Sequence, residues 1–284
     1  MTPGPERTIA QILAQSQSAG LDRLDAQLLL LHVLGRPAHD RSWLIAHDDD
    51  KVSSSVAICF DLLLKRRLNG EPVAYLTGYK EFFRMDLEVD ARVLVPRPDT
   101  EILVEWALEV LSGMASANVV DLGTGSGAIA LAIKKSRAHL RVQGIDSSLG
   151  ALAVARSNAE RLQLDVAFHE GSWLTNVPET FNLIVSNPPY IAEYDPHLAA
   201  LTHEPEQALT SGADGLDDIR RIVARAPDHL QPGGWLLLEH GYNQAVAVRQ
   251  LLSHASFLQV QSRKDLAGME RCSGGQWRAT PQSA

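Results

Sequence analysis

The chain has 284 residues, with 45% apolar and 21% charged side chains, which is the balance of a soluble globular protein of about two domains. Its net charge of −8 argues against a broad phosphate-backbone footprint, because duplex binders carry a basic face. Two distant cysteines, Cys59 and Cys272, read as buried thiols of a reducing compartment, and the ten histidines show no metal-ligand spacing.

The opening residues, Met1 to Glu6, lack a signal pattern, and no apolar stretch reaches membrane-spanning length. A cytoplasmic protein with no membrane partner and no metal is therefore expected. Up to about Leu76 the pattern is entirely helical. Ile9, Ile12 and Leu13 recur at helical spacing; a strong helix covers 25–35 and stops at Gly35; another covers 56–68, with Lys65, Arg66 and Arg67 at its cation-favouring end. Asp48-Asp49-Asp50 reads as a solvated loop. Residues 82–95 alternate in the manner of a hairpin. From Pro96 onward strands and helices alternate, with strands expected at 119–122, 140–146, 166–170, 181–187 and 235–239. That order predicts an α/β unit, a mostly parallel sheet with helices on both faces. Pro232-Gly233-Gly234 reads as a turn before the fifth strand, and 257–260 with 270–278 as a closing antiparallel pair.

Two motifs carry chemistry. Val119-Val120-Asp121-Leu122 leads into Gly123-Thr124-Gly125-Ser126-Gly127 and then an apolar helix start. Glycines allow a tight turn and close ligand approach, and the helix N-terminus offers free N–H groups. Gly123, Gly125 and Ala128 also satisfy a loose dinucleotide pattern, and Asp146, ending the next strand, suits the ribose of either cofactor class. The second motif is Asn187-Pro188-Pro189-Tyr190, directly after a buried strand, at the sheet edge where ligands bind. Paired prolines remove two donors and stiffen the turn. What remains are acceptors, the Asn187 and Pro188 carbonyls, beside the Tyr190 ring: a site for a planar –NH2 group. Nicotinamide chemistry gives no reason for such a site, whereas methyl transfer from S-adenosylmethionine does.

Across nearly its whole length the chain resembles the HemK/PrmC-type methyltransferases. The resemblance lies in 71–82 (Glu-Pro-Val-Ala-Tyr-Leu-Thr-Gly-Tyr-Lys-Glu-Phe), Pro96-Arg97-Pro98-Asp99-Thr100-Glu101, the glycine loop, Asn187-Pro188-Pro189-Tyr190, Leu238-Glu239-His240-Gly241 and Asp265-Leu266-Ala267-Gly268. It implies a Rossmann-like class I S-adenosylmethionine-dependent methyltransferase domain with a seven-stranded sheet. It also implies a helical bundle at 1–78 for substrate recognition, a hinge and hairpin linker at 79–95, and the catalytic domain at 96–284. The implied reaction methylates N5 of the glutamine in the Gly-Gly-Gln motif of class 1 peptide chain release factors, with S-adenosylhomocysteine as the other product, by a cytoplasmic monomer that binds no nucleic acid directly.

Residue by residue, the resemblance implies that Gly123, Thr124, Gly125, Ser126 and Gly127 wrap the methionine and ribose of the cofactor. Asp146 accepts from the ribose, and Trp173 lies near the adenine. Asn187, Pro188, Pro189 and Tyr190 hold the glutamine, and Phe82 walls its pocket. Ser172 replaces the family's common acid before the tryptophan, which leaves adenine recognition to backbone groups; Met269-Glu270-Arg271-Cys272 departs from the family's regular tail. Asp121 reads as a ligand or as an acid orienting the loop, and Trp173 as an adenine neighbour or core. Asp99-Thr100-Glu101 reads as a helix start, with Asp99 as cap, or as a group near the methionine end. His203-Glu204-Pro205 borders the site, and His240 ends a strand. The tripeptide Gly274-Gly275-Gln276 repeats the substrate motif and reads as a turn before the last strand. The same Asn-Pro-Pro-Tyr turn also serves adenine-N(6) methyltransferases, which need a flipped base and a basic channel. A non-catalytic binding module is the reading from another class.

Overall fold

The computed structural model describes residues 6–278. They form two compact units divided between Tyr79 and Lys80.

The first unit holds α1 (Ile9–Ser18), α2 (Arg23–Val33), α3 (Arg41–Ala46), α4 (Ser54–Leu68) and α5 (Val73–Thr77). Local chemistry sets their ends. Thr8 and Gln11 exchange side-chain and backbone bonds in a capping box. Ser53 caps α4, and Gly78 (φ +80°) terminates α5 in the left-handed region. Ile9, Ile12, Leu29, Leu30 and Phe60 form the core. The unit is not entirely helical: β1 (Arg7–Thr8) pairs antiparallel with β2 (Lys51–Val52). Two residues are too few to leave an alternation in sequence. Cys59 is exposed on α4 rather than buried, because Ala57 and Phe60 take the inward face.

A hairpin follows, β3 (Tyr79–Phe82) and β4 (Met85–Glu88), all of it but Tyr79 within the second unit. Its turn is Phe83-Arg84, both at positive φ (47° and 57°), the backbone of a tight two-residue hairpin loop. The hairpin thus lies earlier than 82–95. Beyond it come α6 (Thr100–Val110), β5 (Asn118–Leu122), α7 (Ala128–Ser136), β6 (Arg141–Asp146), α8 (Leu149–Leu162), β7 (Ala167–Glu170) and β8 (Phe181–Ser186). The chain ends through α9 (Asp217–His229), β9 (Leu230–Glu239), α10 (Ala245–His254), β10 (Leu258–Lys264) and β11 (Glu270–Gln276).

The seven strands order as β10-β11-β9-β8-β5-β6-β7. β5 is parallel to both β6 and β8, β6 to β7 and β8 to β9, while β11 runs antiparallel to β9 and β10. Alternate residues serve opposite faces. Val119 and Val185 pack with Trp106 and Leu131 of α6 and α7 on one side. Val120 and Ile184 pack with Ile222 and Val248 of α9 and α10 on the other. This is the seven-stranded, mostly parallel architecture that the resemblance implies.

Three local expectations change. Pro232-Gly233-Gly234 is not a turn before β9 but a bulge inside it: pairing runs Phe181 to Leu230 and resumes at Leu183 to Trp235. Trp277 holds the bulge through bonds to Gly233 and Gly234, both 2.7 Å. Gly274-Gly275-Gln276 lies within β11 rather than in a turn. A Cβ on Gly274 would stand 2.5 Å from Leu237, and one on Gly275 2.9 Å from Phe257, so close packing on both faces accounts for the glycines. The Gln276 amide donates to the Gly233 carbonyl at 2.9 Å and accepts from Gln259 at 2.7 Å. The closing pair reaches Lys264 on its first strand and stops at Gln276 on its second.

Among the described residues no helix is long and apolar enough to cross a membrane.

Candidate active site

β5 and β8 are neighbours at the point where the chain reverses its direction of travel across the sheet, and Leu122 pairs with Ser186. The glycine loop after β5 and the Asn-Pro-Pro-Tyr turn after β8 therefore emerge side by side at the carboxyl edge. Ligands bind open α/β sheets at such switch points. A cavity of about 280 Å³ lies there, lined by Gly123, Thr124, Gly125, Ser126, Asp146, Ser172, Trp173, Asn187 and Pro189.

The loop bends through Gly123 (φ +68°), Gly125 (φ +55°) and Gly127 (φ +83°), and Gly127 leads into α7. Asp121 lies beneath it and does not line the cavity. Its carboxylate is 1% exposed; Oδ2 accepts from the Thr124 hydroxyl (2.6 Å) and the Ala130 N–H (3.2 Å). Burial pushes its pKa up to about 7, and Oδ1 has no protein partner among the described residues. This geometry matches the acid that orients the loop. Asp146 accepts from the Gly125 N–H at 2.9 Å and the Ser148 N–H at 2.8 Å, so one carboxylate joins the loop to the start of α8.

Trp173 sits at φ +51°, and its ring covers the loop: a Cβ on Gly123 would meet it at 3.2 Å. The indole N–H donates to Asp218 at 3.1 Å, and Asp218 also accepts from Ser211 at 2.8 Å. Trp173 thus packs on the core and lines the cavity at once.

Asn187 donates through Nδ2 to the Thr100 hydroxyl at 3.2 Å. Pro188 is buried behind the lining. Tyr190 also lies outside the lining; its hydroxyl donates to Glu239 at 3.4 Å, and burial raises its pKa far above the ordinary phenol value. Phe82 does not wall the cavity. It is 1% exposed and packed among Met85, Leu87, Leu103 and Trp106, since β3 turns this position inward. Asp99 occupies the cap position of α6 without capping it; its carboxylate faces Arg271 at 3.3 Å. Glu101 accepts from the Phe83 N–H at 2.8 Å. Glu204 is buried, paired with Arg97, and accepts from the Val95 N–H at 3.0 Å. His240 follows β9, fully buried, with Nε2 2.7 Å from the Ser273 hydroxyl.

Thr100, Arg92, Arg97, Asp218 and Arg221 also line the cavity. Arg97 and Thr100 lie in the Pro96–Glu101 segment and Arg92 in 82–95, whereas Asp218 and Arg221 lie in no segment that pattern reading marks, and the contact of Asp218 with Trp173 spans 45 positions.

Residues 99–264 match the family described as "Methyltransferase small domain", and residues 7–78 match "PrmC N-terminal domain". A release factor glutamine methyltransferase of Burkholderia pseudomallei is 48% identical over 96% of this chain and 97% of its own. One of Bordetella pertussis is 49% identical over 90% and 95%. Among solved structures, a methyltransferase from Pyrococcus furiosus superposes with a TM-score of 0.53 at 20% identity, covering 76% of this chain and 98% of that one, a likeness of fold. With those relatives matched end to end, the chain belongs to the release factor glutamine methyltransferase family.

Proposed function

We propose that the chain transfers a methyl group from S-adenosylmethionine to the side-chain N5 of the glutamine in the Gly-Gly-Gln motif of class 1 peptide chain release factors, acting as a cytoplasmic monomer. Residues 1–78 serve factor recognition, 79–95 the hinge and 96–284 the chemistry. The observation that carries this reading is the polarity of Asn187. Its –NH2 is committed to Thr100, which leaves its carbonyl as an acceptor beside a cavity lined by the glycine loop.

The residues present fit the methyl donor. The loop's positive-φ glycines bring backbone close to a ligand, the α7 N-terminus adds N–H groups, Asp146 offers remaining lone pairs to a ribose, and Trp173 offers a flat apolar face. S-adenosylmethionine supplies an electrophilic methyl group when bound.

An amide nitrogen is a weak nucleophile, because its lone pair is delocalised into the carbonyl. Asn187 and the Pro188 carbonyl accept its two N–H bonds, hold its plane and raise electron density at nitrogen. Holding it in line supplies roughly 7–11 kcal/mol of barrier reduction, and the acceptors stabilise the positive charge that grows on nitrogen. The amide nitrogen would take the methyl group as the sulfonium of the bound donor released it, and one N–H proton would then leave to water.

The test is methyl transfer from labelled S-adenosylmethionine to a release factor, to the same factor with its loop glutamine changed to alanine, and to bulk DNA and RNA. Label on the intact factor alone is expected. Label on nucleic acid would make the turn an adenine pocket and overturn the reading. A second outcome concerns Trp173. Asp218→Asn exchanges the carboxylate that holds the indole for an amide, and calorimetry should find S-adenosylmethionine bound about 5- to 10-fold more weakly. Unchanged affinity would remove Asp218 from the donor site.

A further inference from the structure

The Gly125-Ser126 stretch of the glycine loop is held at both ends. Gly125 gives its N–H to Asp146 at 2.9 Å. The Ser126 carbonyl takes a hydrogen bond from Asn158 Nδ2 at 3.1 Å. Asn158 belongs to α8, is 0% exposed and does not line the cavity, whereas Ser126 does. Gly127, next in the loop, lies close on the same helix: a Cβ there would stand 3.3 Å from Ala155.

The rest of the Asn158 amide is spent on the hairpin. Oδ1 accepts from the Glu88 N–H at 2.7 Å, and Nδ2 donates to the Glu88 carbonyl at 3.0 Å, so the amide pairs with Glu88 much as a neighbouring strand would. Residues beside it on α8 strengthen the grip. Ser157 donates to the Glu88 carboxylate at 2.6 Å, and Arg161 reaches the Asp86 carbonyl and, at 3.4 Å, Asn158 Oδ1.

The partners fix which end of this amide is which. Two of its three backbone partners are carbonyls, which only accept, and Nδ2 has two protons. A flipped Asn158 would set its oxygen against both carbonyls and leave the Glu88 N–H facing a donor. One planar group therefore satisfies three backbone groups from two segments, and leaving such groups buried and unpaired is costly. The loop cannot shift at Ser126 without drawing on the bonds at Glu88.

We infer, on the reading that this cavity takes S-adenosylmethionine, that Asn158 is a positioning residue for the methyl donor: it holds the glycine loop from beneath and couples it to the hairpin. Asn158 touches neither donor nor acceptor and acts through Ser126. Coupling of this kind is reciprocal. Filling the cavity orders residues 80–88, and cutting the tie weakens donor binding.

Hydrogen exchange read by mass spectrometry tests the coupling without any variant. Saturating S-adenosylmethionine should slow exchange of the wild-type peptide covering 80–88 at least about 3-fold more than that of the peptide covering α10. α10 packs on the opposite sheet face and reports the general stabilisation that any bound ligand gives. Asn158→Ala should remove the excess at 80–88 and raise the calorimetric Kd for S-adenosylmethionine about 5- to 30-fold. Val154→Ala removes buried bulk from the same helix and touches neither bond; it should lower Tm yet keep Kd within about 2-fold, which separates positioning from a loss of stability.

A wild-type hairpin that slows no more than α10 would overturn the inference. So would wild-type affinity in Asn158→Ala, or an equal loss of affinity in Val154→Ala. If Asn158→Ala does not fold, the wild-type exchange decides alone. Neither readout needs an acceptor, so both stand whether or not a release factor is methylated. A flat titration of the wild type would overturn the donor reading and the coupling together, whereas donor binding without the hairpin response overturns the coupling alone.

Discussion

Asn187→Ala is expected to lower kcat by about 10³-fold while the calorimetric Kd for S-adenosylmethionine moves less than about 3-fold. The side chain lines the cavity and its –NH2 bonds to Thr100; in the proposed mechanism its carbonyl accepts from the substrate, so truncation would leave a substrate N–H unpaired at the moment charge develops. Asp146→Ala should do the reverse. Asp146 ties the Gly125 and Ser148 N–H groups and faces the cavity, so its loss removes a charged acceptor and loosens the loop together. Cofactor affinity should fall roughly 10- to 100-fold, from loss of a charged hydrogen bond, and most of the turnover should return at saturating cofactor. Equal losses of cofactor affinity in the two variants would contradict this division of labour.

Gly215→Ala should be the most damaging exchange outside the cavity lining. Gly215 has φ +75°, and a Cβ there would stand 2.2 Å from the Tyr190 carbonyl oxygen and 2.8 Å from Gln244 Nε2. Neither can retreat freely, because Gln244 donates to that carbonyl at 3.0 Å and to the Asp214 carbonyl at 3.2 Å. Overpacking against backbone together with left-handed strain should cost about 3 kcal/mol, a fall of roughly 6–12 °C in Tm for a unit of this size. Gly113 is the control: φ +78°, with nothing among the described residues within 4 Å of its Cβ position. Gly113→Ala carries the strain without the clash and should cost only about 1 kcal/mol. Similar Tm shifts for the two would show that the Tyr190 contact is not tight.

The legible parts of the fold are those where one physical signal dominates. Mostly apolar runs such as Val119 to Leu122, interrupted only by Asp121, and Phe181 to Val185, interrupted only by Asn182, mark strands covered on both faces, and their carboxyl ends locate both motifs. What escapes is decided by distant partners. The hairpin turn falls on Phe83-Arg84, which bears no Asn or Gly signature, and Pro232-Gly233-Gly234 has turn composition yet is held as a bulge by Trp277. Phe82 sits in a motif segment, but its place in the alternation sends it to the core. The links from Asn187 to Thr100 and from Tyr190 to Glu239 span 87 and 49 positions, which no local pattern encodes. Sequence reading therefore finds residues that line the cavity better than the distant residues that hold them.

Asp121 and Glu239 stand at the ends of β5 and β9, each with one carboxylate oxygen lacking a protein partner among the described residues, and this has a thermodynamic consequence. Both are raised to about 7, from ordinary values of 3.8 and 4.5. Between those limits the native unit binds protons that the unfolded chain has released, so the linkage is positive on the acid side. The stabilisation is full below about pH 4 and is lost as pH rises through 7, by up to about 3–4 kcal/mol per group. His240, whose pKa burial lowers, works the other way below its ordinary 6.5 but is a single group. Tm should therefore decline from pH 5 to pH 8, and Asp121→Asn should flatten that slope.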